Sequence, residues 1–385
     1  GHHVTQAPGV PGYPAVTGER TEWQEARRRE SARVLASPHV HVMNGYNSRP
    51  VQQRMIRGQD VRWVPGAGWV GPEEWASLLP PRVFELEMGP LGVLHGAVVA
   101  LGGEETGGAP VYDALLLARG ASGAGAVMAR LAPPESEPLA SGRSLARHFS
   151  DPLPVPAEGG RAWIPVRLFE LAPDGSDFLL YQPPIHLVEG NRDEMTAAYE
   201  EAIGGWTGNS GFLVYRNGGF GPTLAQGGDG TAEARYLETA EHLLRQFRDG
   251  SAWLWRTHGP RLLMDYFPLS DAIDHEVLAY LDPEWPGYDE EAARKIRDFR
   301  ARVWGLVDLR LGHLQALVRE AGGALFVSGD HGMRSSWNAF HVNLALRDAG
   351  LLALDGDGNI DLSRTRAASP NGYFIRINRT ESPGG

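Results

Sequence analysis

The chain has 385 residues, and its 36 Lys+Arg against 47 Asp+Glu give a formal net charge of −11, which argues against a duplex nucleic-acid binder because such binding draws on counterion release by a basic surface. Hydrophobic residues make up 42% and charged residues 22%, with no uninterrupted apolar run of the roughly 18 residues that a bilayer span needs, as expected of a globular protein rather than a disordered one. Cysteine is absent and Lys295 is the only lysine, so thiol nucleophiles, disulfides, thiolate metal sites and a Walker-type phosphate loop are excluded, and a metal can be held only by His and carboxylate.

Residues 1–80 mix a Pro/Gly-rich start with a charged helical stretch, Thr21 to Leu35, and a turn-like Asn44-Gly45-Tyr46-Asn47. They are read as a partial N-terminal piece of an α/β core with its connecting loops. His39 and His41 alternate along Pro38-His39-Val40-His41-Val42, which places them on one face of a strand; no third ligand is near in sequence, so an ordinary strand face is the reading. The chain opens on Gly1 and closes on Ser382-Pro383-Gly384-Gly385, and the expectation is a piece of a longer polypeptide. No signal-peptide pattern assigns a compartment.

From 81 to 190 short apolar runs are separated by turn signals: Val83 to Met88, Gly92 to Leu101, Val111 to Ala118, Ala126 to Leu131, Ala162 to Leu171 and Asp177 to Leu187. Their length and β-branched or aromatic content predict strands, and their hairpin-like spacing predicts an antiparallel, inserted β-rich subdomain.

Residues 191–385 are read as the C-terminal part of the core. Gly204-Gly205, Gly218-Gly219 and Gly227-Gly228 lack the strand-to-helix context of a phosphate loop and are read as turns. Helices are predicted at Ala232 to Arg248 and at Glu290 to Glu320, the latter with apolar residues at Ile296, Phe299, Val303, Leu306, Leu314, Leu317 and Val318 and ended by Gly322-Gly323. Ala324-Leu325-Phe326-Val327-Ser328 has the continuous apolar character of a strand buried on both faces of a parallel sheet, and Arg261 to Phe267 reads as a second strand. Strand, long helix and strand imply a right-handed βαβ crossover. The expected fold class is therefore α/β, a mostly parallel sheet flanked by helices with a strand-rich insertion.

Each of these two strands runs into a segment that pairs a carboxylate with an imidazole. After the first, Asp271 and His275 are four residues apart and share one face of a helical turn. After the second, Ser328-Gly329-Asp330-His331-Gly332-Met333 puts adjacent Asp and His between glycines that permit a tight turn. Imidazole nitrogen with carboxylate oxygen suits zinc, and also manganese or iron. Two pairs suggest two divalent ions, an arrangement that can hold an attacking oxygen and a phosphoryl oxygen together.

Ser-Gly-Asp-His-Gly-Met after an apolar strand resembles the metal-binding motif of the alkaline phosphatase superfamily, in its type I phosphodiesterase/nucleotide pyrophosphatase branch. The order also resembles that family: an Asp-x-x-x-His, a long helix, then a strand ending in Asp-His-Gly. Ile360-Asp361-Leu362-Ser363-Arg364-Thr365-Arg366-Ala367 and Tyr373-Phe374-Ile375-Arg376-Ile377-Asn378-Arg379 look like the segment that follows in predicted phosphohydrolases of this group. The resemblance covers residues 240–385 and is diffuse before them. It implies an alkaline phosphatase-like core, Asp271 and His275 as ligands of one metal, Asp330 and His331 as ligands of the other, and zinc in both places with manganese as the other candidate. It also implies an upstream Asp with a Thr or Ser nucleophile, and a further His downstream of Asp-His-Gly. Thr5 and Thr17-Gly18 are superficially similar to the nucleophile segment, but the continuation differs and no Asp precedes Thr5. The nucleophile with its Asp is expected upstream of Gly1 and the last His beyond Gly385.

Three other features carry two readings each, and His313 carries one. His341, which opens the helical Phe340-His341-Val342-Asn343, is a capping residue or an extra ligand, and His313 is a neighbour of its i±4 residues within the long helix. Asp274 either orients the His275 imidazole or faces solvent. Trp253 and Trp255 either stack on a substrate base or make one core and one rim contact.

The activity expected is metal-dependent hydrolysis of a small-molecule phosphoester, a diester or nucleotide-type substrate ahead of a monoester. The alternatives are a phosphomutase or sulfatase-like relative, since one metal scaffold supports several transfers, and a degenerate, non-catalytic metal-binding protein.

Overall fold

A computed structural model describes residues 43–44, 51–66, 69, 73–102, 109–120, 127–132, 149–157, 160–206, 208, 210–336, 340–370 and 374–378. Among them, residues 43–333 belong to one compact unit and 334–378 to another.

The first unit opens with β1 (Met43–Asn44), β2 (Arg54–Arg57), β3 (Arg62–Val64), β4 (Arg82–Glu87), β5 (Val93–Val99), β6 (Ala114–Ala118) and β7 (Val127–Leu131). It continues with β8 (Leu153–Ala157), β9 (Gly160–Ile164), β10 (Arg167–Leu171), β11 (Phe178–Gln182) and β12 (Glu189–Gly190). Strands β3 to β7 form an antiparallel meander in chain order, β2 joins the edge of β10-β11, β8 pairs with β9, and β1 pairs with β12. All six apolar runs expected between 81 and 190 contain strands, and β2 and β3 pair into them from upstream. The run Ala162 to Leu171 is divided between β9 and β10 at Pro165, whose missing N–H cannot serve a ladder.

Both faces of the meander are covered, which explains why β6 is apolar at every position instead of alternating. Phe84, Leu86, Leu94, Val98, Leu115 and Leu117 face a core shared with Ile164, Leu168, Phe178, Leu180 and Ile56. Val83, Ala97, Val99, Ala114 and Leu116 face the other way, with Trp69 and Trp75 against them. Gly96 lies across the ladder from Phe84, and a Cβ on it would sit 2.1 Å from the Phe84 ring, so the phenyl group occupies the space that glycine leaves.

Helices follow: α1 (Asp193–Ile203), α2 (Phe212–Arg216), α3 (Thr231–His258), α4 (Leu269–Val277) and α5 (Glu290–Glu320). The last matches its predicted span. Asp289 caps it by accepting the Ala292 N–H at 2.7 Å, Glu290 and Glu291 lie in its first turn, and the Gly323 N–H closes on the Val318 carbonyl at 2.9 Å. Helix α3 runs beyond the predicted Arg248. Its interior Gly250 lets Tyr199 of α1 approach, because a Cβ there would sit 2.6 Å from the tyrosine oxygen. Tyr236, Leu237, Ala240 and Leu244 of α3 pack with Ile296, Phe299 and Val303 of α5, and Phe169, Leu179 and Tyr181 of the sheet join that cluster. Arg167 of β10, 0% exposed, pairs with Glu238 of α3 at 2.5 Å and fastens the sheet to the helices through one buried ion pair.

The second unit holds α6 (Val342–Asp348), β13 (Ala367–Ala368) and β14 (Arg376–Ile377) around a small core of Leu346, Leu352 and Ala367. Asn343 ties its parts together, donating to the Ser369 carbonyl and accepting the Ser369 N–H at 2.8 and 2.7 Å.

The mostly parallel sheet is corrected by this structure. Every strand pairing among the described residues is antiparallel, so they do not form an alkaline phosphatase-like core. The segments expected to be its strands, 261–267 and 324–328, have no regular structure, and Phe326 is 89% exposed. An apolar run makes burial favourable, but a strand exists only where a neighbour takes its N–H and C=O groups.

Candidate functional site

Helix α4 separates its side chains cleanly. Leu269, Ala272, Ile273 and Val277 are buried, while Asp271 and His275 occupy the outward face at i and i+4. His275 Nε2 lies 3.4 Å from Asp271 Oδ1. Asp274 does not face solvent: it is buried against α5, where Arg300 donates to its two oxygens at 2.6 and 2.8 Å and Trp304 Nε1 donates at 3.2 Å. The bidentate bond holds the Arg300 guanidinium above its ordinary pKa. Glu276, two residues further on, accepts from Arg216 Nε of α2 at 2.8 Å.

The second pair stands on irregular backbone. Asp330 Oδ1 accepts the His331 N–H at 3.1 Å, His331 Nε2 lies 3.5 Å from Asp330 Oδ2, and both side chains are exposed. His331 Nδ1 sits 3.1 Å from the Gly332 carbonyl. With the ring proton on Nδ1 and given to that carbonyl, Nε2 presents a lone pair beside a carboxylate, two donors that a cation can bridge.

Both pairs fit an edge of a metal coordination sphere. Two ligands each about 2.1 Å from a tetrahedral zinc are ~3.4 Å apart, and the two N···O separations are 3.4 and 3.5 Å. Each pair supplies two protein ligands where a catalytic zinc commonly has three. Among the described residues no three His, Asp or Glu side chains gather closely enough to hold a metal, so the four residues stand as two separate pairs.

His341 occupies the N-cap of α6, its carbonyl accepting the Leu344 and Ala345 N–H groups at 3.0 and 3.2 Å. His313 lies within α5; burial, then Arg248 and Arg310, lower its pKa. Trp253 packs edge-on against Tyr199 at 5.8 Å, a packing contact. His39, His41, Thr5, Thr17 and Gly18 lie outside the described residues.

Sequence reasoning missed the arginines that hold these segments. Arg310 of α5 is 1% exposed and bonded to Asp265, and Asp265 also accepts from Ser251 of α3 at 3.2 Å. A signal was present: Ile296, Val303, Arg310 and Leu317 recur every seven residues, and all four are buried. A charge in an apolar heptad position demands a buried partner.

No known family profile matches this chain, and no solved structure does. A stretch of 65 residues, 16% of the chain, is 43% identical to the 2,3-bisphosphoglycerate-independent phosphoglycerate mutase of Natronomonas pharaonis. The match covers 12% of that mutase's length. The similarity is at the level of the alkaline phosphatase superfamily, to which the mutase belongs, and nothing in it is particular to phosphodiesterases.

Proposed function

We propose that this chain contributes metal ligands to a phosphoryl-transfer enzyme of the alkaline phosphatase superfamily, of phosphomutase type in preference to phosphodiesterase. Asp271 and His275 hold one divalent ion, Asp330 and His331 the other, zinc first and manganese as the alternative. The observation that carries the reading is the pair geometry: each exposed imidazole nitrogen stands 3.4 or 3.5 Å from a carboxylate oxygen, the span of two ligands on one dication. The partial identity to a phosphoglycerate mutase supports transfer between hydroxyls of a small phosphorylated acid over diester cleavage.

A bound dication would supply the positive charge that draws a phosphoryl oxygen to a chain of net charge −11. The chain's own residues do the rest of the binding work: Asp271 and Asp330 bring the charge that attracts the metal, and the two imidazoles fix its direction. A second reading, a metal-binding but non-catalytic protein, is favoured by one observation, the lack of a third ligand beside either pair among the described residues.

The test is elemental analysis of the purified chain after equilibration with zinc and with manganese, with phosphorus NMR of added 3-phosphoglycerate and of a bis-aryl phosphate diester. About one to two equivalents of metal, lost stepwise in Asp271→Ala, Asp330→Ala and His331→Ala but kept in His341→Ala, is expected. No stoichiometric metal, or equal loss in His341→Ala, overturns the ligand assignment. Diester cleavage without turnover of phosphoglycerate overturns the mutase reading, and bound metal with no turnover of either leaves the non-catalytic one.

A further inference from the structure

The segment that carries Asp271 and His275 is gripped from one stripe of α5. Arg300, Trp304 and Arg310 lie at i, i+4 and i+10 on that helix, and all three reach toward residues 265–274. Arg310 takes Asp265 before α4 begins, and Arg300 takes Asp274 within it, so the two bonds bracket Asp271. Of the two, the Arg300 bond is the bidentate one. It uses both nitrogens of a planar fork on both oxygens of a carboxylate, a contact that fixes angle as well as distance. Asp274 is the immediate neighbour of His275 and, about 100° around the helix, its position decides which way that imidazole faces. The apolar face of α4 holds the helix against its neighbours, and its other charged contact, Arg216 to Glu276, reaches a single carboxylate oxygen rather than two.

We infer that Arg300 is a positioning residue: by clamping Asp274 it fixes the rotation of α4 and thereby presents Asp271 and His275 as a ready-made two-ligand edge. The inference rests on the reading of those two residues as metal ligands, and its test is built to separate the two.

The experiment compares the full chain with Arg300→Met and with the paired Arg300→Met, Asp274→Leu variant. Zinc affinity is read by competition with a chromophoric chelator, backbone hydrogen exchange on peptides covering 266–280, and stability by urea unfolding. Arg300→Met is expected to weaken Asp271-dependent zinc binding about 10- to 100-fold, the range for lost support behind a ligand, and to speed exchange in α4 about tenfold while α3 is unchanged. The paired variant no longer leaves the buried Asp274 carboxylate without its partly exposed arginine, so it regains stability. Having no directional contact at position 274, it keeps the weak zinc binding and the fast exchange.

Full zinc affinity in either variant overturns the inference, since packing alone would then set the geometry. If the unaltered chain shows no Asp271-dependent zinc, the ligand reading fails by itself. Exchange then decides the clamp: faster exchange in α4 with Arg300→Met supports it, and unchanged exchange overturns it.

Discussion

His242 makes the protein sensitive to acid in a way that can be calculated. Its ring, 6% exposed on α3, stacks on Phe149 at 4.3 Å and 15°. The Arg245 Nη2 group lies 3.2 Å from His242 Nδ1, and Nε2 has no partner among the described residues. A guanidinium only donates, so Nδ1 accepts and the ring is neutral. Burial, and after it the positive Arg245, push the His242 pKa down from 6.5 to about 3. Between those values the unfolded chain takes up a proton that the folded chain refuses, so stability falls as pH falls from 6.5 and levels off near 3. At about 1.36 kcal/mol per unit, two units of acidification to pH 4.5 remove roughly 3 kcal/mol. Other groups titrate in the same window, so the measurement is a difference: urea unfolding of the unaltered chain and of His242→Gln at pH 7 and pH 4.5. The variant keeps an acceptor for Arg245 and loses the titration. It is expected to be the less stable protein at pH 7, with its deficit shrinking by about 3 kcal/mol at pH 4.5. Parallel stability curves for the two proteins would refute the assignment of a neutral, buried imidazole.

Two further perturbations probe the β-rich part and its junction with the helices. Arg167→Met leaves Glu238 buried without its counter-charge, a change that costs about 3–5 kcal/mol, and Arg167→Met with Glu238→Leu should recover most of it in urea unfolding; a paired variant as unstable as the single one would show that the arginine acts through packing. Gly96→Ala forces a methyl group into the Phe84 ring and should cost about 1–3 kcal/mol, falling below about 1 kcal/mol in a Phe84→Leu background, as thermal unfolding of the four proteins would reveal.

What could be read from the sequence was what local chemistry specifies. Helix α5 was legible from end to end because its signals agreed: apolar residues every three or four positions, and Gly322-Gly323 at its close. The antiparallel strands were legible because short apolar runs between turns pair with their sequence neighbours, as β4 to β7 do. The pairing of β2 with β11, about 120 residues away, had no local signal, since register between distant strands is set by the packed face alone. Within the candidate site, the i, i+4 spacing placed Asp271 and His275 on one face, and the adjacent Asp330 and His331 came within 3.5 Å as neighbours. The expectation that failed, a parallel sheet under both pairs, depended on strand partners that no residue within 261–267 or 324–328 can supply for itself.

Arg310 shows how the unread part of a site can be recovered from the same string of letters. Its heptad partners Ile296, Val303 and Leu317 mark it as interior, and an interior guanidinium persists only against a carboxylate or comparable acceptors. The carboxylate is Asp265, in the segment that leads into α4. A charge on the apolar stripe of one helix thus identifies the neighbouring segment that must carry its opposite, and here that segment runs directly into the one holding Asp271 and His275. Asp274 completes the logic from the other side: as a buried acid on an amphipathic helix it requires a cation, and Arg300, one turn from the core residue Ile296, provides it. The polar residues that occupy buried positions of these helices, rather than the motif residues alone, therefore trace the frame that carries Asp271 and His275.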